Sequence, residues 1–374
     1  MKVKDLETRD TPRNSHWNRR EIPNSAMEYN QLRDDIQNFS LDNCPLGNQG
    51  YNRVLLQLFG YMGHGKSALI NSLKYVLYRG SFSVEAESGV TTHGGSYTME
   101  RRVYTLTPTI TVVDNRGLVF MNDYEMSMIY AQLGNFMPLN EKVEWKDSYE
   151  DFMYKLEDSE LDPNYTDFIV PVFVYKVQTK LPEQEMSQIK AFCKICRDMT
   201  GVFPIIVLTH KTSENYFEVE KKFRCLGAEV VVAVENYSNE DQLQTLGRNT
   251  DFLTLLKHAV DNVMFRMEHP RKPKEDRIQR KKFLNTYVHD TDVTNKINEI
   301  KRKEEEATRL AEVRMKQEEA RRLAEARMEQ EEATRLAEAT MEQEEATRLA
   351  EATIEQEECD PASSSNKKKT CTTQ

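Results

Sequence analysis

The sequence predicts a doubly wound α/β domain with a mostly parallel six-stranded sheet, followed by a long charged helix. Three observations carry this prediction. Apolar runs alternate with helical patterns between residues 51 and 267, a glycine-rich turn separates the first run from the first helical pattern, and a thirteen-residue repeat fills residues 305–356. Alternation of short apolar runs with helix-length segments is the pattern of a parallel sheet whose faces are covered by helices.

The expected strands are RVLLQLF at 53–59, a segment within 96–106, TITVVD at 109–114, DFIVPVFVYKV at 167–177, VFPIIVLT at 202–209 and AEVVVAV at 228–234. Helices are expected between them at 67–78, 121–133 and 182–199, in the stretch after His210, and at 251–267. Residues 1–50 read as a polar extension with one helix at MEYNQLRDDIQNF. Residues 268–304 read as a linker and helical segment, 305–358 as the repeat helix and 359–374 as a disordered polybasic tail.

Each repeat unit, EEATRLAEVRMKQ being the first, places Glu four residues before Arg, as in Glu305 with Arg309 and Glu344 with Arg348. That is the favourable orientation for a helical ion pair. With no Gly or Pro the segment is expected to be a helix about 75 Å long at 1.5 Å per residue. Thirteen residues advance the helical face by about 220°, so Leu310, Leu323, Leu336 and Leu349 do not form one seam. A lone charged helix, loose self-association and a regular coiled coil with a partner along 305–358 are the readings this leaves.

Composition narrows the function classes. A net charge of −10 argues against general nucleic-acid binding, which calls for a basic domain. Nothing resembles a signal peptide, no apolar run approaches the roughly 18 residues of a membrane span, and a cytoplasmic location is expected. Six cysteines are too few for a disulfide framework. Cys193 and Cys196 have CxxC spacing without a second matching pair, so packing on a helix competes there with metal or redox chemistry.

The glycine-rich turn is FGYMGHGKSAL at 59–69, which fits G-x-x-x-x-G-K-[ST] with Gly60, Gly65, Lys66 and Ser67. Phosphate oxygens reach main-chain amides only where side chains do not block them, which explains the glycines. The expected phosphate-binding run is Gly60, Tyr61, Met62, Gly63, His64, Gly65, Lys66, Ser67 and Ala68. The next helix turns its unpaired N–H groups and positive dipole end toward the same anion. Lys66 is placed to reach the β and γ phosphates and Ser67 to ligate Mg²⁺. A glycine turn with an incidental Lys-Ser pair is the competing reading.

Asp114 ends a β-branched run 48 residues after Lys66, and Gly117 follows it, a D-x-x-G arrangement. Asp114 is expected to hold Mg²⁺ and the Gly117 amide to sense a γ phosphate. Between the two motifs, AESGVTTHGGSYT is a loop in which Thr91 or Thr92 offers a further hydroxyl to Mg²⁺ and Thr92 meets the nucleotide; ordinary threonines in a flexible loop are the alternative.

Residues 50–267 resemble the P-loop GTPases of the translation-factor-related class. GYMGHGKSALINSL is similar to the corresponding run in septin-like and immunity-associated (GIMAP) GTPases, a branch that includes the chloroplast import receptors. The resemblance implies a G domain binding GTP/GDP with Mg²⁺, pairing as a homodimer across the nucleotide face, and a defence or trafficking role. The wider class reads guanine with [NT]-K-x-D, whereas this chain has Thr209, His210, Lys211 and Thr212, with no Asp. Import receptors similarly carry Thr-His there and Glu-Asn after the next strand, matched by Glu235 and Asn236. By resemblance His210 covers the base and Glu235 or Asn236 hydrogen-bonds it; otherwise His210 is simply an exposed strand-end residue.

Many GTPases place a water-orienting Gln after the D-x-x-G glycine, and this chain has Leu118. Slow intrinsic hydrolysis is therefore expected unless a second subunit or partner contributes a polar group. His64 and His93 are weaker candidates for that group. A P-loop ATPase or kinase, or a helical scaffold whose nucleotide site has lapsed, are the rival functions.

The last residues, SSSNKKKTCTTQ, place Cys371 fourth from the end with Gln374 last, which fits a prenylation box apart from its middle threonines. Lys367, Lys368 and Lys369 would add attraction to an anionic membrane surface, at most about 1 kcal/mol each. A polar tail with a stray cysteine is the other reading.

Overall fold

The computed structural model describes residues 25–86, 100–118, 123–141, 149–159, 166–177 and 181–357. Thr91, Thr92, His93, the lysines 367–369 and Cys371 lie outside them. The described chain runs α1 (Ala26–Gln37), β1 (Arg53–Phe59), α2 (Lys66–Tyr78), β2 (Arg102–Thr105), β3 (Ile110–Asp114), α3 (Asp123–Leu133), α4 (Tyr149–Asp158), β4 (Asp167–Lys176), α5 (Glu183–Thr200), β5 (Ile205–Thr209), α6 (Tyr216–Cys225), β6 (Val231–Val234), α7 (Leu246–Arg266) and α8 (Pro273–Glu357). It divides into two units, residues 1–293 and 294–374.

In the first unit the six strands form one sheet in the order β2-β3-β1-β4-β5-β6, parallel except for the antiparallel β2–β3 pair. The central strands read as near-continuous apolar runs because helices cover both faces. One face packs α1, α2 and α7 residues over the sheet, including Leu69, Leu73, Phe252 and Leu256. The other packs α3, α4, α5 and α6 residues, including Ile129, Phe152, Phe192 and Phe223. Pro171 is tolerated in β4, one residue before the pairing with β5 begins at Val172 and Ile205. The register pairs Leu58 with Asp114, so β1 and β3 deliver their carboxyl ends to the same place.

Several boundaries differ from the sequence expectation. The expected extension is part of the fold: α1, capped by Ser25 accepting from the Glu28 amide at 3.2 Å, buries Tyr29, Leu32 and Ile36 in the same core as α7. The expected linker is helical from Pro273, and Leu284 and Val288 are buried in the core. Proline suits the first turn of a helix, and the charged run from Lys274 to Lys282 obscures the apolar pair, four residues apart, that follows it. The α4 helix was not expected, although Phe152 and Leu156, again four apart and both buried, mark its inner face.

The described part of the second unit is the rest of α8, exposed wherever its side chains are described. Glu318 and Arg322 form the expected repeat ion pair at 3.0 Å. Repeat threonines bond back to the preceding turn, Thr334 Oγ1 to the Gln330 carbonyl at 2.7 Å, so their hydroxyls do not compete with the helix. Among the described residues no helix is long and apolar enough to cross a membrane.

Candidate functional site

The carboxyl ends of β1, β3, β5 and β6 meet at one edge of the sheet, the edge where open α/β sheets bind ligands. The glycine-rich loop connects β1 to α2 there. Gly60, Gly63 and Gly65 have φ of +142°, +71° and +86°, which side-chain-bearing residues rarely adopt. Two of them are also sterically committed. A Cβ on Gly60 would lie 2.1 Å from the Val174 carbonyl oxygen, and one on Gly65 would lie 2.9 Å from Asn236 Nδ2.

The loop is held by its carbonyls. Thr209 Oγ1 at the end of β5 donates to the His64 carbonyl at 3.1 Å, and Asn236 Nδ2 after β6 donates to the Gly65 carbonyl at 3.1 Å. In a trans peptide the C=O and N–H point in opposite directions. Anchoring those two carbonyls therefore turns the N–H groups of Gly65 and Lys66 away from β5 and β6. Gly65 caps α2 without a side-chain hydrogen bond. The amides of Gly63, Gly65, Lys66, Ser67 and Ala68 meet no main-chain acceptor among the described residues. Five donors at the positive end of a helix make a site suited to an anion.

Lys66 is 7% exposed, and its Nζ donates to the carbonyls of Gly60 at 3.0 Å and Tyr61 at 3.1 Å. Burial pushes its pKa down, and Asp114 opposes that push. Ser67 Oγ donates to Asp114 Oδ2 at 2.7 Å. Burial pushes the Asp114 carboxyl up, against the pull of Lys66 and the Ser67 bond. Asp114 is 2% exposed and its Oδ1 has no hydrogen-bond partner among the described residues. A buried carboxylate oxygen without a partner, beside a hydroxyl, fits a hard divalent cation such as Mg²⁺. Among the described residues no three His, Cys, Asp or Glu side chains cluster.

The turn after β3 runs along the glycine loop. The Leu118 amide donates to the Gly60 carbonyl at 3.1 Å, and the Met62 amide donates to the Leu118 carbonyl at 3.0 Å. Gly117 is thereby pressed close, since a Cβ there would meet Met62 Cγ at 2.9 Å and Lys66 Nζ at 3.2 Å. Leu118 is 1% exposed and packs into the core, which accounts for an apolar residue at that position.

His64 turns away from the loop interior. Its ring lies 5.2 Å from Tyr61 and 5.0 Å from Tyr175, and its Nδ1 accepts the Lys176 amide at 3.1 Å. Burial, then Lys66, Lys176 and His210, push its pKa down to about 3, so the ring is neutral and wedges the loop against β4.

His210 is exposed and left-handed at φ +62°. Lys211 pairs with Asp251 at 2.6 Å, and Glu235 Oε2 accepts from the Thr212 amide at 3.1 Å and hydroxyl at 2.9 Å. Glu235 thus braces the loop after β5, while Asn236 Oδ1, buried, has no partner. Arg248 closes this corner: it donates to the Glu235 and Asn236 carbonyls at 2.9 and 2.7 Å and lies 3.8 Å from the Tyr237 ring centroid.

Two positioning residues escaped the sequence reading. Arg248 sits on α7 upstream of the expected helix start, where Thr245 as an N-cap was the available signal. Arg101 is fully buried and donates to Asn115 Oδ1 at 3.1 Å, Gln57 Oε1 at 3.2 Å, Asn135 Oδ1 at 3.3 Å and the Gln132 carbonyl at 3.1 Å. It fixes the residue after Asp114, and no local pattern distinguishes it from its exposed neighbour Arg102. Cys193 and Cys196 are buried in α5; burial pushes the Cys193 thiol up to about 12 and Cys196 well above its usual value. Thiols held protonated are poor metal ligands and nucleophiles. A scan against protein-family models finds no match to this chain, and a search of curated proteins finds none either.

Proposed function

We propose that this chain is a GTP-binding switch protein with slow intrinsic hydrolysis, taking GTP or GDP with Mg²⁺ on the glycine-rich loop. The observation that carries this reading is the set of five amides around Lys66 without main-chain acceptors among the described residues, set beside the buried Ser67–Asp114 pair. The amides of Gly63, Gly65, Lys66, Ser67 and Ala68 and the Lys66 ammonium would hold the β and γ phosphates. Ser67 and Asp114 would hold Mg²⁺, which when bound neutralises charge on those phosphates.

Gly117 lies against the loop through the Leu118 main-chain bonds, so a γ phosphate entering beside Lys66 would meet its amide and shift the 114–118 turn. Leu118 faces the core and offers no polar atom to a water, which supports slow hydrolysis. On the base side, Asn236 Oδ1 is the acceptor left without a partner, and His210 stands exposed to cover the ring.

Self-association across the nucleotide face, a coiled-coil partner along 305–358 and a membrane anchor at Cys371 complete the proposal. Light scattering with and without a GTP analogue tests the first, cross-linking along the repeat the second, and intact mass from cells the third.

Nucleotide competition on the purified full chain tests the central reading. Bound fluorescent GTP analogue should be displaced by GTP and not by ATP, and Lys66→Ala should weaken its binding at least about 100-fold, as expected for loss of charge-assisted contacts of about 3 kcal/mol. Displacement by ATP alone would reassign the site to an adenine nucleotide. Unchanged binding in the Lys66→Ala chain would remove the site itself.

A further inference from the structure

The repeat helix is chemically uneven along its length. Its apolar side chains stand in solvent, Leu310, Leu323, Leu336 and Leu349 being 50%, 57%, 65% and 64% exposed. Thirteen residues turn the helical face by about 220°, so burial of these leucines does not by itself choose the direction of a partner helix. The charges do. Residues 301–327 carry nine Lys or Arg against seven Glu, whereas residues 328–353 carry two Arg against eight Glu. The change falls at equivalent positions of the repeat: Arg314 and Arg327 give way to Thr340 and Thr353, and Lys316 gives way to Glu329 and Glu342.

Within the first segment the charges answer one another. Arg322 lies 3.0 Å from Glu318 and Arg321 lies 3.5 Å from Glu325, each pair four residues apart on the helix. In the second segment two arginines cannot neutralise eight glutamates, and Glu338 with Glu342 sets like charges at that same spacing. Such pairs weaken an isolated helix, and a basic surface alongside relieves them. Charges are screened beyond about 8 Å at physiological salt, while each segment is about 40 Å long at 1.5 Å per residue. Each segment therefore responds to the charge directly beside it, not to the net charge of the chain.

We propose that residues 301–353 pair with the same residues of a second copy of this chain, running antiparallel and centred near residue 327. The inference rests on the reading of the repeat helix as a partner-binding surface and makes no use of the nucleotide site. A parallel pair would lay the acidic segment against itself. The antiparallel pair lays it against the slightly basic segment at both ends, so the chain carries its own complement. Lys303 of each copy then comes near Glu351 of the other, Lys316 comes near Glu338, and the exposed leucines gain a second helix to pack on.

Light scattering of the full chain with carbodiimide cross-linking tests the proposal. A dimer should form without nucleotide, equally in wild type and Lys66→Ala, and dissociate as ionic strength rises from about 0.1 M to about 1 M. Mass spectrometry of the linked dimer should find Lys303 joined to Glu351. Along one helix those residues are about 72 Å apart, so the link can form only between copies. Glu338→Lys, Glu342→Lys, Glu345→Lys and Glu351→Lys together should weaken pairing at least about 10-fold. Mixing that variant with one carrying Lys303→Glu, Arg309→Glu and Lys316→Glu should restore it; all seven positions are exposed, and circular dichroism checks that both variants keep their helix. A chain still monomeric at about 0.1 mM overturns the second copy as the occupant and leaves the helix to another protein or to itself. A dimer without the Lys303 to Glu351 link, or one unmoved by charge reversal, overturns the antiparallel arrangement. A dimer that forms only with a GTP analogue and is lost in Lys66→Ala belongs to the nucleotide face and overturns pairing through the repeat.

Discussion

Thr209 Oγ1 donates to the His64 carbonyl at 3.1 Å, so the last residue of β5 holds the glycine-rich loop by its main chain. Thr209→Val keeps the shape and removes this donor from the His64 carbonyl. The expected cost is about 1–2 kcal/mol in urea unfolding, with nucleotide affinity lowered because the Gly65 amide loses its orientation. Unchanged affinity alongside reduced stability would show that the anchor serves the fold alone.

The glycines of the loop are not equivalent. Gly60→Ala must push the Val174 carbonyl aside and should cost about 3 kcal/mol or more. Gly63→Ala finds no atom within 4 Å of the new Cβ, so only its left-handed backbone resists, at about 1–2 kcal/mol. Comparing the two unfolding midpoints checks the order; equal losses would mean that conformation, not contact, dominates at both.

Acid sensitivity should trace partly to His64. Its folded pKa is about 3 against an ordinary 6.5, so below pH 6.5 the unfolded chain binds a proton that the folded chain refuses. Stability from this group is fully present above pH 6.5 and falls by up to about 1.4 kcal/mol per pH unit down to about pH 3. His64→Gln should flatten that part of the profile between pH 6.5 and 5. Parallel profiles for the two proteins would rule out the buried ring as the source.

Arg101→Leu should be among the most damaging single changes in the first unit. It removes the guanidinium donors from Gln57, Asn115, Asn135 and two carbonyls, and a cost of about 3–5 kcal/mol is expected. Chemical denaturation measures it directly. A loss under 1 kcal/mol would show that water replaces the guanidinium.

Much of the fold was legible because its signals are local. β1 falls where RVLLQLF reads as a strand, and α2 opens at Lys66, one residue before the expected start, because a run buried on both faces cannot be polar and a left-handed glycine ends it. The repeat helix was equally legible, since neither Gly nor Pro interrupts it. The segment after Met267 misled because its composition is that of a linker, while Leu284 and Val288 are enough to seat it. The motif residues could be named in sequence, but their partners could not. His64 reads as part of a phosphate loop, and only the packed structure shows its ring between Tyr61 and Tyr175; Arg101 reads as one residue of the 96–106 strand segment and stands at the centre of a buried network.

What the sequence determined by itself is the order of elements and the residue types at the ends of β1 and β3, because hydrophobic period, glycine conformation and helix propensity act over a few residues. The tertiary structure alone decided which carbonyls hold the loop, which carboxylate oxygen is left without a partner among the described residues, and that Arg266 of α7 and Arg271 of the following turn converge on Phe168. Those relations join residues up to 171 positions apart, as with Asn236 and Gly65. Burial and electrostatics depend on distance in space, and only the packed sheet sets that distance.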